Sequence, residues 1–421
     1  MQIENRKAIS RMILAIVLVV IILVVAIVAA VVIVESGKKT TAQYTVTVQI
    51  SQGSGTTNDT GTHTYPSGTI INIATSGATL TDWKLNATDE GSGAINVTVN
   101  DNYVVYVYFA PTYKLALLVG GDTTDDGLND QGVQIAQMIG TTYDWTVSIS
   151  QDVAYSDQGA VMTSYAQEGY NVIWADGNQF IGTTEAIAAQ FPNVDFIMTP
   201  TYDGDNITSN VVALGASNQA TGYYLAGVLS GLMTKTNSVG MILGQWTAEQ
   251  SFEFYAYRAG VQSVNNNQTK VYLTVPGTWG DATLGFEDAS TMISTDHVDI
   301  LVPIADTTGL GAIAAATETN TTVIGTVLDQ VDLSPQNMMT SVLLNMTAFI
   351  QPVVQSIING TFSQIGGKIM DLQLGSLGPF HAYESIIPTS VMTQINETGQ
   401  GIANGTIKVP FIYTANPPTT P

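Results

Sequence analysis

The spacing of hydrophobic residues divides the chain into regions, and the first is the most distinct. Residues 12–34 read MILAIVLVVIILVVAIVAAVVIV, an apolar run of 23 residues without a charged or polar side chain. A run of this length can span a bilayer core of about 30 Å. Arg6, Lys7 and Arg11 precede it and favour an N-terminus inside the cell. The pattern predicts a cytoplasmic segment at 1–11, a single-pass transmembrane helix at 12–34 and an extracellular remainder.

Residues 40–112 follow a period of two. Tyr44–Ile50 and Ile95–Val99 alternate apolar with polar residues, and Tyr103–Phe109 is rich in aromatic and β-branched residues. These features predict strands and hence a small all-β domain with Trp83 in its core. The stretch also resembles the small β repeats of bacterial surface proteins. The alternative is a plain spacer between the membrane and the main domain.

From residue 113 to about 395, apolar runs alternate with segments of helical periodicity, such as Ala220–Met233 and Phe252–Val264. Repeated strand–helix units predict an α/β fold with parallel sheets covered by helices. The length exceeds one ordinary core, so we expect two lobes. Residues 396–421 are predicted to be a C-terminal tail, disordered from Tyr413 onward. The predicted strands are Lys114–Val119, Trp145–Ile149, Asn171–Ala175, Val194–Thr199, Val211–Leu214, Val239–Leu243, Val271–Val275, Ile300–Ile304 and Val323–Val327.

Composition narrows the possible partners and the environment. The 421 residues contain 12 Lys and Arg against 34 Asp and Glu, and the net charge of −22 argues against a nucleic-acid partner. There is no cysteine, so disulfides and thiolate metal sites are excluded. Only 11% of residues are charged, against about 25% in ordinary proteins. A surface that titrates so little indicates an acidic exterior.

Asparagines in N-x-[ST] sequons are numerous and favour an outer, glycosylated surface. The basic stretch before the apolar run also resembles the class III signal sequences of archaeal surface proteins. Cleavage of that segment stays open. The predicted glycosylation sites are Asn58, Asn86, Asn96, Asn206, Asn267, Asn320, Asn345, Asn359, Asn396 and Asn404.

The most unusual loop is GGDTTDDGLNDQG at 120–132, between a predicted strand and a predicted helix. A phosphate loop would need a lysine, which this loop lacks. As a calcium-binding EF-hand loop it has Gly127 at position six but Val133 at position twelve, where a glutamate is required. Two interpretations stay open: carboxylates and an amide that bind a polar ligand, or mere capping of the helix by Asp125 or Asp126.

An enzyme is not expected, because nucleophilic catalysis needs a base beside the nucleophile. His63, His297 and His381 are isolated in the sequence, and Ser230 lies within a predicted helix. Three scattered histidines also predict no zinc site. We expect neither a metal nor another cofactor.

Short motifs in a fixed order give the chain a family resemblance from residue 113 to about 378. They resemble those of the basic-membrane-protein family, lipoprotein-like substrate-binding proteins that serve ABC importers of nucleosides. Beside the loop at 120–132, the matching patches are GYNVIWADGNQF at 169–180, FPNVDF at 191–196, YYLAGVLSGLMTKTNSVGMILG at 223–244, YRAGV at 257–261, TGLG at 308–311, LDQ at 328–330 and TSVLLN at 340–345.

The resemblance implies a type I periplasmic binding protein: two Rossmann-like lobes, joined by a hinge of three crossovers, that close on a ligand. It implies delivery of a small polar solute, such as a nucleoside or a related compound, to an ABC transporter permease. The alternative is a surface sensor or structural protein that kept the binding fold without a transport role. The ligand-binding residues expected at strand ends are Asp126, Asn129, Trp174, Asp176, Trp246, Trp279, Asp306, Gly309 and Asp329.

Three positions depart from the family pattern, and all three affect the expected ligand. Leu128 stands where the family has a phenylalanine, Val327 where it often has an aspartate, and Leu344 where it has a lysine. A nucleoside is therefore less certain than a small polar solute in general, and the sequence leaves the identity of the ligand open.

Overall fold

The computed structural model describes residues 41–419 except 54, 110–111, 202–206, 216, 266–267 and 372–374. The predicted cytoplasmic segment 1–11 and the transmembrane segment 12–34 lie outside these residues. Within the part of the chain that is described, no helix is both long and apolar enough to cross a membrane. The chain divides into two compact units, Met1–Thr112 and Tyr113–Pro421.

The described residues of the first unit form strands and no helix. Five strands make a sheet in the order β3-β1-β9-β6-β7, in which β1 and β9 are parallel and the other pairs antiparallel. Trp83 is buried in the core of this unit. The strands are β1 (Gln43–Gln52), β2 (Thr56–Thr57), β3 (Gly61–Pro66), β4 (Thr69–Ile73), β5 (Thr75–Ser76), β6 (Leu80–Leu85), β7 (Thr88–Gly91), β8 (Ile95–Val99) and β9 (Tyr103–Phe109).

The second unit alternates strands with helices. Its strands are β10 (Lys114–Val119), β11 (Thr146–Ser150), β12 (Val172–Asp176), β13 (Asp195–Thr201), β14 (Val211–Gly215), β15 (Ser238–Leu243), β16 (Lys270–Thr274), β17 (Ile300–Ile304), β18 (Thr322–Val327), β19 (Met338–Leu343), β20 (Lys368–Asp371) and β21 (Ser376–Leu377). Its α-helices are α1 (Leu128–Tyr143), α2 (Gln158–Gln167), α3 (Ile181–Ala188), α4 (Ala220–Met233), α5 (Ala248–Asn265), α6 (Ala282–Thr295), α7 (Asp306–Glu318), α8 (Met346–Ile358) and α9 (Thr389–Ala403). Short 3₁₀ turns occur at Asn178–Phe180, Ser217–Gln219, Val331–Leu333, Phe362–Gln364 and His381–Tyr383.

These elements form two lobes, each with a six-stranded sheet. The first sheet, β11-β10-β12-β13-β14-β20, is entirely parallel. Alternate residues of β10 enter opposite cores, one shared with α1 and α8 and the other with α2 and α3. The second sheet, β16-β15-β17-β18-β19-β21, is parallel except for β21. The predicted α/β fold with parallel sheets is therefore confirmed.

The chain passes between the lobes three times. It crosses from β14 of the first sheet to α4 on the second, returns from β19 to α8, and crosses again from β20 to β21. Three crossovers of this kind form the hinge of a type I periplasmic binding protein, and they leave the carboxyl ends of both sets of strands facing a common cleft.

Helices α4 and α5 pack unusually closely on the second sheet. A Cβ atom on Gly227 would lie 2.0 Å from the carbonyl oxygen of Tyr257, and one on Gly260 would lie 2.1 Å from that of Tyr224. Only glycine permits this approach of the two backbones. The contact fixes α5, whose first turns reach the cleft.

The end of the chain differs from the predicted disorder. Helix α9 runs across the expected boundary at residue 395, and residues beyond it pack on the second lobe. The backbone N–H of Thr414, within the predicted disordered stretch, donates to Ser251 Oγ at 3.1 Å. Ser251 Oγ in turn donates to the carbonyl oxygen of Ile412 at 2.9 Å. The Pro- and Thr-rich composition predicted a free tail because it does not reveal such long-range partners.

Candidate functional site

A cavity lies between the two lobes, where the loops at the carboxyl ends of the parallel strands meet. The space among its walls is about 670 Å³, part of it open to solvent. The first lobe supplies Gly120, Gly121, Leu128, Asn129, Gly177, Asn178 and Gln179. The second lobe and the crossovers supply Gln219, Tyr223, Glu249, Gln250, Glu253, Trp279, Ile304, Asp306, Val327 and Leu344.

The acidic loop at 120–132 is held by Asp125. This carboxylate is buried, and its Oδ1 accepts from the backbone N–H groups of Gly127 at 3.0 Å and Asp130 at 3.1 Å. Its Oδ2 accepts from Asn129 Nδ2 at 2.6 Å. Burial raises the pKa of Asp125, while these hydrogen bonds oppose the shift. Asp125 therefore caps α1 and orients Asn129.

Asn129 reaches across the cleft to the second lobe. Its Nδ2 lies 3.4 Å from Oδ2 of Asp306, the first residue of α7. Burial raises the pKa of Asp306 to about 8, the charge of Asp125 adds to the shift, and the hydrogen bond from Asn129 opposes it. The two lobes thus meet through an amide and a carboxyl group that retains a proton near neutral pH.

Helix α5 contributes a second acidic group. Glu249 and Glu253 are four residues apart, so both lie on the face of α5 that meets the cavity. Glu249 Oε2 accepts from Asn178 Nδ2 of the first lobe at 3.2 Å, and Glu253 Oε2 accepts from Gln250 Nε2 at 2.8 Å. Burial raises the pKa of Glu249 to about 7 and that of Glu253 well above its ordinary value.

Several polar atoms of the cavity lining are buried without a hydrogen-bond partner. They are the acceptors Gln219 Oε1 and Gln250 Oε1 and the hydroxyl of Tyr223. Among the described residues of the lining there is no lysine, arginine or histidine. Buried acceptors without partners are uncommon in folded proteins, so these atoms are available to a donor-rich ligand.

The remaining wall is apolar and includes all three departures from the family pattern. Leu128, Val327 and Leu344 line the cavity together with Ile304. Trp279 packs over Gly244, where an added Cβ would lie 2.2 Å from the indole ring. The cavity therefore combines an acidic side with an apolar and aromatic side.

Of the residues predicted from the sequence, the structure brings Asn129, Trp279 and Asp306 to the cavity lining. Trp174 instead lies in the core of the first lobe, where its Nε1 donates to Thr199 Oγ1. Asp176 is fully buried and lies outside the cavity lining, and its Oδ1 accepts from Thr199 Oγ1 at 2.7 Å. These two side chains point into the lobe because the fully buried strand β12 packs both of its faces.

Asp126 and Asp329 also lie outside the lining. The backbone carbonyl of Asp126 accepts from Gln330 Nε2 at 2.8 Å, so its main chain rather than its carboxylate joins the lobes. Asp329 Oδ2 lies 2.7 Å from Nε2 of His381, which the sequence had suggested was isolated. Both contacts come from parts of the chain too distant for sequence spacing to indicate.

Trp246 and Gly309, which were also predicted to bind the ligand, contribute to the packing of the second lobe instead. Trp246 Nε1 donates to the carbonyl oxygen of Thr414 at 2.7 Å and so anchors the end of the chain. Gly309 is buried in the first turn of α7. Neither residue belongs to the cavity lining.

Sequence reasoning missed several residues of the lining, chiefly Asn178, Gln219, Glu249, Gln250 and Glu253. A signal was present for the last three, because AEQSFEFY places two acids within an otherwise apolar and aromatic helical stretch. An acid inside an apolar helix face is rare unless it serves a buried site.

All eight described sequon asparagines are exposed, and Asn206 and Asn267 lie outside the described residues. Exposure makes the eight accessible to modification. Within the described ranges, no group of three or more His, Asp or Glu is arranged to hold a metal ion.

Comparison with known proteins agrees with this architecture. The model of the family "ABC transporter substrate-binding protein PnrA-like" matches residues 112–412. The chain belongs to this family. The resemblance drawn from the sequence motifs is thereby confirmed, and the family and fold are those of solute-binding proteins rather than enzymes.

Two curated proteins are similar to this chain over most of their length. Basic membrane protein A of Borreliella afzelii is 25% identical, with 71% of this chain and 91% of that protein covered. Basic membrane protein D of Borreliella burgdorferi is 27% identical, with 70% and 87% covered.

Solved structures share the fold at lower identity. An ABC transporter system solute-binding protein from Aeropyrum pernix has a TM-score of 0.65 at 18% identity, with 71% of this chain and 94% of that chain covered. One from Conexibacter woesei has a TM-score of 0.58 at 20% identity, with 72% and 100% covered. The shared region corresponds in extent to the two-lobed unit.

Proposed function

We propose that this chain is an extracellular receptor that captures a small polar solute and delivers it to the permease of an ABC importer. The observation that carries the proposal is the pair of hydrogen bonds across the cleft, Asn129 to Asp306 and Asn178 to Glu249. Both pairs border the cavity, so closure of the lobes would enclose a solute among polar groups from each side.

The proposed receptor is tethered to the cell membrane by a single helix. The apolar run at 12–34 is long enough to span a bilayer, and the basic residues before it favour an inner N-terminus. The exposed sequons agree with an outer, glycosylated location for the two-lobed unit. A tethered receptor would keep the captured solute close to the permease.

A nucleoside is one candidate solute. Trp279 offers a face on which a base could stack, and the carboxylates could accept hydrogen bonds from ribose hydroxyls. Against this, Leu128, Val327 and Leu344 replace a ring, an acid and a cation of the family pattern, and all three line the cavity. The solute therefore needs a direct search.

Thermal unfolding of the full-length chain in detergent provides that search. A ligand that binds only the folded state at a concentration of 100 times Kd adds about 2.7 kcal/mol to the free energy of unfolding and raises Tm. We expect a rise with at least one member of a library of nucleosides, bases, sugars, peptides and amines. Asn129→Ala should reduce that rise. A library without effect on Tm would contradict the proposed function.

A further inference from the structure

The chemistry of the cavity restricts the class of solute, because its polar side consists largely of acceptors. Glu249, Glu253 and Asp306 line it, and so do the buried, unpartnered Oε1 atoms of Gln219 and Gln250. Two of the amide donors nearby are already used, since Asn129 donates to Asp125 and Asp306 and Asn178 donates to Glu249. The hydroxyl of Tyr223 is buried without a partner beside these acceptors. A solute that satisfies this site must bring several hydrogen-bond donors.

The site also lacks a balancing positive charge. A buried carboxylate is costly unless a cation or several donors accompany it, so buried acids without a cation tend to keep their protons. A bound cation would favour their ionised form. At the position where the family pattern has a lysine, Leu344 lines the cavity instead. The acids of the cleft are therefore left without a cation from the described lining.

We propose that the solute is an organic cation whose amine or guanidinium group is shared among Glu249, Glu253 and Asp306. This inference rests on the proposed function, since it names the class of solute that the same cleft takes. An ammonium or guanidinium group carries three to five N–H donors and no acceptor, which complements the acceptors of the cavity.

The other wall suits the carbon skeleton of such a solute. Leu128, Val327 and Leu344 offer apolar contact, and Trp279 offers an aromatic face that attracts cations. A bare metal ion fits less well, because no group of three acidic or histidine side chains in the described chain is arranged to coordinate one. The combination favours an alkyl amine over an inorganic cation.

Isothermal titration of the full-length chain in detergent tests the proposal. Putrescine, spermidine and agmatine serve as organic cations, adenosine and ribose as neutral solutes, and adenosine monophosphate as an anion. We expect at least one organic cation to bind with one-to-one stoichiometry, and the neutral and anionic compounds to bind at least about tenfold more weakly.

A matched pair of variants separates the cleft from the surface. Glu249→Gln removes one cleft carboxylate and should weaken cation binding by about tenfold to a hundredfold. Glu287→Gln makes the same change at an exposed position on α6 and should leave binding unchanged. If both variants bind the cation like the parent chain, the cation interacts only with the acidic surface and the inference is overturned.

A second variant supplies the missing charge. Leu344→Lys introduces an ammonium group at the cavity wall and should abolish binding of the organic cation, because the carboxylates would already be balanced. Its Tm without solute shows whether it folds. A folded Leu344→Lys chain that binds the cation as well as the parent would overturn the inference, and if it fails to fold, Glu249→Gln decides.

The results also distinguish this inference from the proposed function. If a neutral solute binds in the cleft and no organic cation does, the chain is a solute receptor but the inference is wrong. If none of these compounds and no member of the wider library binds, the inference and the proposed function are both wrong.

Discussion

Two acidic regions border the cleft, and their carboxylates have different surroundings. In the loop at 120–132, Asp125 accepts hydrogen bonds from two backbone N–H groups and one side-chain amide, all on residues within five positions of itself. On α5, Glu249 accepts from Asn178 of the opposite lobe, and Glu253 accepts from Gln250 on the same helix. The hydrogen bonds to Asp125 thus come from its own loop, whereas Glu249 and Glu253 face the cavity.

The difference follows from the backbone. Loop residues before a helix have unpaired N–H groups within reach, so an acid there serves as a cap. Within a helix the N–H groups already donate to carbonyl oxygens, so a buried acid must find donors elsewhere. A dense acidic loop therefore indicates structure, and a buried acid on a helix facing a cavity indicates a ligand.

The largest expected effect concerns the stability provided by the loop. Asp125→Ala removes a buried carboxylate with three hydrogen bonds and leaves their donors unpaired, so we expect the free energy of unfolding to fall by about 3 kcal/mol. Urea denaturation measures the loss. Asp122→Ala, at an exposed position in the same loop, should cost less than about 1 kcal/mol. Equal losses in the two variants would contradict the structural role of Asp125.

On α5 we expect the opposite effect, a gain in the free energy of unfolding when an acid is removed. Glu249→Gln removes a buried charge that lacks a cation, so the empty protein should become more stable at about pH 8, by about 1–2 kcal/mol. The control is Glu287→Gln on α6, which should change stability by less than about 0.5 kcal/mol. A destabilised Glu249→Gln chain would show that this carboxylate supports the fold rather than a ligand.

The stability of the empty protein should also depend on pH because of the acids that face the cavity. In the folded state the pKa of Glu249 is about 7 and that of Asp306 about 8. In the unfolded chain both side chains lose their protons near pH 4 to 4.5. The folded state thus holds more protons in this interval, so stability falls as pH rises through it. We expect Tm to fall by at least about 5 °C between about pH 5 and pH 8.5.

The variant Glu249→Gln/Asp306→Asn measures the share of that slope that these two groups contribute. Burial also raises the pKa of Glu253 and Asp176 well above their ordinary values, so Tm should still fall in the variant, but by less than in the parent chain. A slope as steep as that of the parent chain would assign the pH dependence to other residues.

The smallest effect is expected for two acids that the sequence had indicated as ligand contacts. Asp126 and Asp329 lie outside the cavity lining, so their replacement by alanine should change the affinity for the solute by less than about twofold, a free energy under about 0.5 kcal/mol. Asn129→Ala, within the lining, should weaken it by about tenfold. Titration of the solute found by thermal screening measures all three.

Much of the fold could be predicted from the sequence because it depends on local patterns. The strands that form the centre of each sheet are continuous apolar runs, and β10 has the predicted bounds. Strands β19, β20 and β21 were not predicted from periodicity. Strands β20 and β21 are short and follow crossovers, and β20 pairs with β14, which is distant in the sequence. Strand β19 has six residues and precedes a crossover.

The site was less predictable because side-chain direction depends on packing. Trp174 and Trp279 both follow the strand-end pattern, yet one is enclosed in the lobe and the other lines the cavity. Glu249 could not be assigned from spacing, since its partner Asn178 is 71 residues away. The three departures from the family pattern were informative, because Leu128, Val327 and Leu344 all line the cavity.

The central claim, that the solute is held between the lobes, is tested most directly by locking the lobes together. The chain contains no cysteine, so Asn178→Cys/Thr247→Cys introduces a single pair of thiols across the cleft, where the native side chains lie 3.5 Å apart. A short bifunctional thiol reagent added after the solute found by thermal screening should trap it. The measurement is the rate of solute release from the cross-linked and uncross-linked double variant. We predict release at least about tenfold slower after cross-linking, because the lobes can no longer open. Equal release rates would show that the solute binds elsewhere.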